Sequence, residues 1–244
     1  MKRTVLIVSA LISVFLISGC GTTGKFIYPD DIAQLVKMDS NKSHPASVAI
    51  LPFEDCRKNK NRTMFMMYMI PLLPYGWGDY NRPDAANMFL TINKYDVTPS
   101  EDLAKATAMS LRHSKLFENS YFTMGGEKKN ADFLLSGEIK EMKYEGKMFS
   151  YCLSIFGPIL WYVGAPAGVS ENKIGVALRL TDKKGTELWS YSFDKEDSVV
   201  QWLYAGIGDD CIKFSSLYQK AMNEAIRDLS KEMNRNPGKF KVSK

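Results

Sequence analysis

Lys173-Ile174-Gly175-Val176-Ala177-Leu178-Arg179-Leu180-Thr181, then Asp182-Lys183-Lys184-Gly185, then Trp189-Ser190-Tyr191-Ser192-Phe193, is the stretch from which the fold can be read. Ile174, Val176, Leu178 and Leu180 alternate with smaller or polar residues, and Trp189, Tyr191 and Phe193 alternate with serines. Successive side chains of a strand point to opposite faces, so each run has one apolar face. With turn residues over Asp182–Gly185 between them, the two runs predict an antiparallel hairpin. Beyond it, Leu217, Tyr218, Ala221, Met222, Ala225, Leu229 and Met233 recur at helical spacing, and Asn236-Pro237-Gly238 stops the helix.

Towards the amino terminus, Ala131 to Tyr144 predicts a long strand with Phe133, Leu135 and Ile139 on one face around Gly137. Leu116 to Thr123 predicts a short strand, with Gly125-Gly126 as a turn. Thr98-Pro99-Ser100-Glu101 reads as a capping box opening a helix, which Leu103, Ala106, Thr107 and Leu111 carry to about Lys115. Ser47 to Phe53 is a continuous β-prone run of the kind that forms a buried strand. Strand, helix, strands, hairpin and helix predict an α/β fold, a mixed sheet flanked by helices. It forms a single domain over residues 46–236 with two apolar insertions, 54–97 and 145–172. Residues 20–45 read as a polar tether with a short helix around Ile32–Val36, and 237–244 as a tail.

The first twenty residues carry a separate message. Lys2 and Arg3 precede an apolar run from Val5 to Ile17, shorter than the roughly 20 residues needed to span a bilayer and suited to a secretory signal. It ends in Ile17-Ser18-Gly19-Cys20, which resembles the bacterial lipobox. That resemblance implies cleavage between Gly19 and Cys20, with residues 1–19 removed and Cys20 bearing a diacylglyceryl group and an acylated amino terminus. The acyl chains make attachment effectively permanent, at about 0.8 kcal/mol for each buried CH₂. Gly21 and Thr22 follow Cys20, with no Asp of the kind that retains such proteins in the inner membrane, so an outer-membrane anchor facing the periplasm is favoured. Cys56, Cys152 and Cys211 then remain, an odd number that permits at most one disulfide.

Composition excludes several classes. Of 244 residues, 45% are hydrophobic and 24% charged, which is ordinary for a globular chain. The net charge of +5 is too small and too dispersed for a nucleic-acid footprint. Two histidines and no Cys/His spacing leave no basis for a zinc site, and no serine elbow, HExxH or phosphate loop occurs. His113 reads as a cation at a helix end, His44 as a solvated tether residue, and Glu54-Asp55 and Asp209-Asp210 as acidic pairs beside ordered elements. No cofactor, metal or catalytic residue is expected.

Val48-Ala49-Ile50-Leu51-Pro52-Phe53, Ala131-Asp132-Phe133-Leu134-Leu135-Ser136-Gly137-Glu138-Ile139 and the run from Val176 to Trp189-Ser190 occur in this order behind a lipobox. In this the chain resembles the envelope lipoproteins with a TolB-amino-terminal-like domain, the group of the CsgG-type and LpoB-type lipoproteins. The resemblance implies a mixed sheet with helices and a non-catalytic role as an assembly or regulatory module of a cell-envelope machine. It also brings an alternative, an oligomeric pore or translocation subunit of the CsgG type. The insertions depart from the compact members of the group.

Those insertions hold two apolar stretches, Met64–Trp77 and Met148–Val169, each broken by Pro and Gly. They can be extra core, or a face for a membrane, an envelope protein or a second copy of the chain. Met64, Phe65, Tyr75, Trp77, Phe156, Trp161 and Tyr162 are the candidate contact residues, since Met and aromatic side chains are enriched in such surfaces.

Overall fold

The computed structural model describes residues 22–38, 43–86, 92–127, 130–205 and 211–241. Residues 1–19, the Gly19–Cys20 boundary and Asp209-Asp210 lie outside them. The fold is α/β, built on an eight-stranded mixed sheet. Its main path runs β10 (Glu187–Gln201), β9 (Gly168–Asp182), β8 (Phe133–Phe149), β2 (His44–Ile50) and β7 (Phe117–Phe122). β8 and β10 are antiparallel to β9, whereas β2 is parallel to β8 and β7. Two long helices, α1 (Pro99–Ser114) and α3 (Phe214–Arg235), pack on one face of this sheet. Ile174, Val176, Leu178 and Leu180 are buried beneath them, while Arg179, Ser190 and Ser192 on the opposite face are exposed.

The hairpin register places Trp189 opposite Leu180, Tyr191 opposite Leu178 and Phe193 opposite Val176. Asp182 closes the turn by accepting from the amides of Lys184 and Thr186, each at 2.8 Å, and Gly185 takes the left-handed conformation (φ 85°) that glycine adopts without cost. α3 fits over the hairpin through its apolar stripe. Tyr218 meets the Phe193 ring at 5.9 Å, and Trp189 Nε1 donates to Asp228 Oδ2 at 2.9 Å.

Several expectations are corrected. Residues 22–38 are docked rather than stretched out as a tether. β1 (Thr22–Lys25) pairs with β6 (Ile92–Asp96), Leu35 is buried, and the Asp31 and Val36 amides donate to Gln219 and Asn223 of α3. His44 opens β2 between Phe117 and Phe133, and burial lowers its pKa. The expected tail contributes Phe240, fully buried against Phe133. No disulfide joins Cys56, Cys152 and Cys211; the first two are exposed and the third is buried.

The insertions enlarge the sheet. β8 continues past the bulge at Ile139/Glu141 to Phe149, and β9 starts at Gly168, so only residues 150–167 connect them. In the other insertion β3 (Glu54–Asp55) pairs with β8 at Glu138–Ile139. β4 (Asn61–Met64) and β5 (Tyr75–Tyr80) then form a hairpin laid antiparallel on the far half of β8. Arg57, with a side chain only 1% exposed, ties this insertion together through Asp55 and Asp84 at 2.8 and 2.7 Å. The sheet thus has a helix-covered half and a far half beyond the helices.

Candidate functional site: a charge-free cap on the far sheet

Hydrogen-bonded rungs across the far half change character over a short distance. Arg62, Asp79, Glu145, Glu171 and Ser198 lie side by side on one rung. Two residues further out on the same face, the rung is Met64, Trp77, Lys147, Val169 and Val200, and beyond it stand Tyr75 and Phe149. Two residues of strand span about 7 Å. Past the charged rung, residues 63–78, 148–170 and 198–205 contain no Asp, Glu, Lys or Arg.

The boundary is an ordered ion network. Lys143 reaches Asp79 at 3.4 Å and Glu145 at 3.3 Å, and Lys147 reaches Glu145 at 3.2 Å and Glu171 at 3.6 Å. Burial opposes ionisation of Glu145, but the hydrogen bonds and charges of Lys147 and Lys143 outweigh it and hold its pKa below the usual glutamate value. Again against desolvation, the neighbouring carboxylates, Asp79 and Glu145 for Lys143 and Glu145 and Glu171 for Lys147, raise both lysines.

Three segments close the far end. Residues 65–74 fold back from β4 with a 3-10 turn over Phe65–Met69. Residues 150–167 include a second such turn, Ser154–Phe156, and the one-turn helix α2 (Pro158–Tyr162). Residues 202–205 leave β10. The segments are stitched by polar groups that would otherwise be orphaned. Ser150 Oγ donates to Leu73 O at 2.6 Å, the Leu72 amide to Cys152 O at 3.2 Å, and Tyr204 Oη to Tyr162 O at 3.0 Å. Gly157 is needed here, since a Cβ would lie 2.6 Å from the Ser150 backbone.

With backbone groups paired inward, apolar side chains point out. Leu72 is 82% exposed, Val163 77%, Tyr204 73%, Met66 66% and Phe156 62%, with Ile155 and Ile159 close behind. Most large apolar side chains exposed among the described residues belong to these segments and the strand ends beneath them. Leu72, Tyr151, Cys152 and Ser154 also adopt positive φ, a conformation costing non-glycine residues about 1–2 kcal/mol each. The cap is therefore built at some expense to the backbone.

The seven sequence-derived candidates separate into two roles. Met64, Tyr75, Phe156 and Tyr162 are exposed on the cap. Phe65, Trp77 and Trp161 are half-buried. Phe65 stacks on Tyr68, Tyr68 faces Trp161, and Trp161 Nε1 donates to Phe149 O at 3.1 Å, so this group props the cap from inside. Sequence reasoning missed Val200, Trp202 and Tyr204, which lie past the predicted hairpin; the uncharged run 198–208 was the available signal.

Among the described residues no group of His, Cys, Asp and Glu could hold a metal. A depression of about 490 Å³ beside the far sheet is lined by Lys143, Glu145, Glu171, Asn172, Lys173 and Glu196; Lys143, Glu145 and Glu171 are engaged in the ion pairs above, and Lys173 pairs with Glu141 at 3.3 Å. No described helix is long and apolar enough to cross a membrane.

No family model and no curated protein matches the sequence. Among solved structures, a candidate lipoprotein of Caulobacter crescentus CB15 is similar at 20% identity. The match covers 42% of this chain and 64% of that one, less than two thirds of its length, with a TM-score of 0.23, below the level of a shared fold.

Proposed function

We propose that the protein is a non-catalytic lipoprotein of the cell envelope. It is held by acylated Cys20 in the outer membrane facing the periplasm and presents its apolar cap as the working contact of an assembly or regulatory module. The observation that carries this reading is the gathering of exposed apolar side chains at one end of the sheet, beyond a rung of paired ions. Large exposed apolar patches rimmed by polar residues mark protein or membrane interaction sites. The lipobox-like Ile17-Ser18-Gly19-Cys20 supports the anchor. The pore-subunit alternative has less support, because pore strands alternate apolar and polar residues, whereas residues 63–78 and 148–170 carry no charged side chain.

Two measurements test the reading. Labelled palmitate should enter the wild-type protein and not Cys20→Ala; equal labelling removes the anchor. Photo-crosslinkers placed in intact cells at Ile159 and at Ser192, on the open face of the body, should capture envelope components from Ile159 only. Capture from Ser192 alone would show that the cap is not the working surface.

A further inference from the structure

The cap and the start of the chain face the same way. The head of α3 lies towards the cap, where the Lys213 amide donates to Asn172 Oδ1 at 3.1 Å and Asn172 is paired with Tyr144, five residues before the end of β8. The other end of α3 lies away from it, with Asp228 on Trp189 and Lys239 Nζ on Leu188 O at 3.2 Å. The amino-terminal segment runs beside α3 in the same direction. Gly24 pairs with Tyr95, whose ring is 5.6 Å from Phe214 at the head of α3. Tyr28 then meets Tyr218, Val36 meets Asn223, and the Met38 amide reaches Ser114 O, at the last residue of α1. The chain therefore enters the domain at the cap-ward end and travels away from the cap. Cys20 precedes Thr22 by two residues, a span of at most about 7 Å.

From this arrangement we infer that the cap inserts into the interface of the same bilayer leaflet that holds acylated Cys20, giving the domain a second, non-covalent attachment to lipid. The inference rests on the anchor reading and adds the identity of what the cap touches. The chemistry fits a lipid surface. Among the described residues of the cap no charge has to be desolvated beyond Lys147, whose alkyl stem can lie along the apolar rung while its ammonium stays with Glu145 and Glu171. Tyr75, Trp202 and Tyr204 supply rings with a polar edge, the type favoured at headgroup depth. From the charged rung at Glu145 to the strand end at Phe149 is about 13 Å. That length lets the apolar end sink the roughly 5–10 Å typical of interfacial elements while the ions stay in water. The acyl chains supply the affinity and the cap fixes orientation, standing the helix-covered body away from the membrane.

The test uses the full-length acylated protein in vesicles of phosphatidylethanolamine and phosphatidylglycerol, with and without bromine on the lipid acyl chains close to the headgroup. Trp77, Trp161 and Trp202 are in or beside the cap, and Trp189 is buried beneath α3. Bromine should remove most of the tryptophan emission of the wild type. In Phe156→Asp/Ile159→Asp/Val163→Asp, whose replaced side chains are exposed, the protein should still float with the vesicles but lose that quenching. A wild type that floats without quenching, or a variant quenched equally, overturns the insertion and leaves the anchor reading standing. A wild type that takes up no palmitate and does not float overturns both.

Discussion

Gly137 has no side chain because Phe53 occupies the place: a Cβ there would lie 2.8 Å from the ring. The glycine sits in the middle of a buried strand row, between Leu135 and Ile139, so the ring cannot retreat without displacing core. Gly137→Ala should destabilise the protein by about 1–3 kcal/mol, the usual range for overpacking, read as a lower urea midpoint with an unchanged slope. Arg57 poses the opposite problem. Its guanidinium is almost fully buried and satisfied by Asp55 and Asp84, so Arg57→Leu leaves Asp84 without that cation and Asp55 with Arg82 alone. Those carboxylates keep some solvent, which should limit the loss to about 2–3 kcal/mol, below that of a wholly buried pair. Hydrogen bonds from Arg57 are the main cause holding Asp55 below its ordinary pKa. The stability they confer is complete above the unfolded-state value and disappears as pH falls through the folded one. Arg57→Leu should therefore be weaker at neutral pH and lose less on acidification. His44 adds to the acid sensitivity of both proteins, because its lowered pKa makes the unfolded chain the stronger proton acceptor below 6.5.

At the level of elements, the α1 start shows how a correct motif can have the wrong residue in its key position. The Thr98 amide donates to Asp102 Oδ2 at 2.7 Å, while Glu101 is drawn off to Lys105, also at 2.7 Å. Asp102→Ala should cost about 1 kcal/mol and Glu101→Ala no more than about 0.5 kcal/mol, a difference resolvable by paired denaturation curves. The central hairpin is less forgiving. Leu178 is 1% exposed, on the face of β9 that α3 covers. Leu178→Asp should abolish the cooperative thermal transition, since a lone carboxylate would be buried with no cation on that face of the strand. A stable, soluble variant would mean that the strand faces the other way.

For the molecule as a whole, the amino-terminal segment is a third layer over the two long helices. Tyr28 and Leu35 fill the groove beside them, and Gln219 and Asn223 bond its backbone. The core cluster beneath is continuous without it, so a chain beginning at Ser43 should fold. It should be less stable than one beginning at Thr22 by about 3–5 kcal/mol, on the order of 10 °C in Tm for a domain of this size. Equal melting temperatures would show that the segment is only laid on the surface. The docking also bears on the cap. Because residues 22–38 are held, an anchor at Cys20 leaves little slack, and the orientation of the domain at a membrane follows from where Thr22 emerges.

The hairpin, the two long helices and the strand over 133–144 were legible because each buries one face, and burial of one face imposes a period on the residues; the strand over 47–50, buried on both faces, was legible as a continuous apolar run. Where both faces are special the period is lost. Gly76, Gly78 and Gly168 lie against the Phe65 carbonyl, the Tyr80 ring and the Lys147 carbonyl, so β5 and the start of β9 show glycines where alternation would announce a strand. The segment 22–38 read as a tether because its attachments are isolated, the Tyr28 ring on Tyr218 and the Asp31 and Val36 amides on Gln219 and Asn223, nearly 200 residues away in α3. The apolar stretches were visible as composition, and composition is the same for a core and for a contact face. Which of the two they form depends on what remains to cover them. The helices end before the far half of the sheet begins, so only the tertiary arrangement leaves Leu72, Phe156, Ile159 and Val163 facing out.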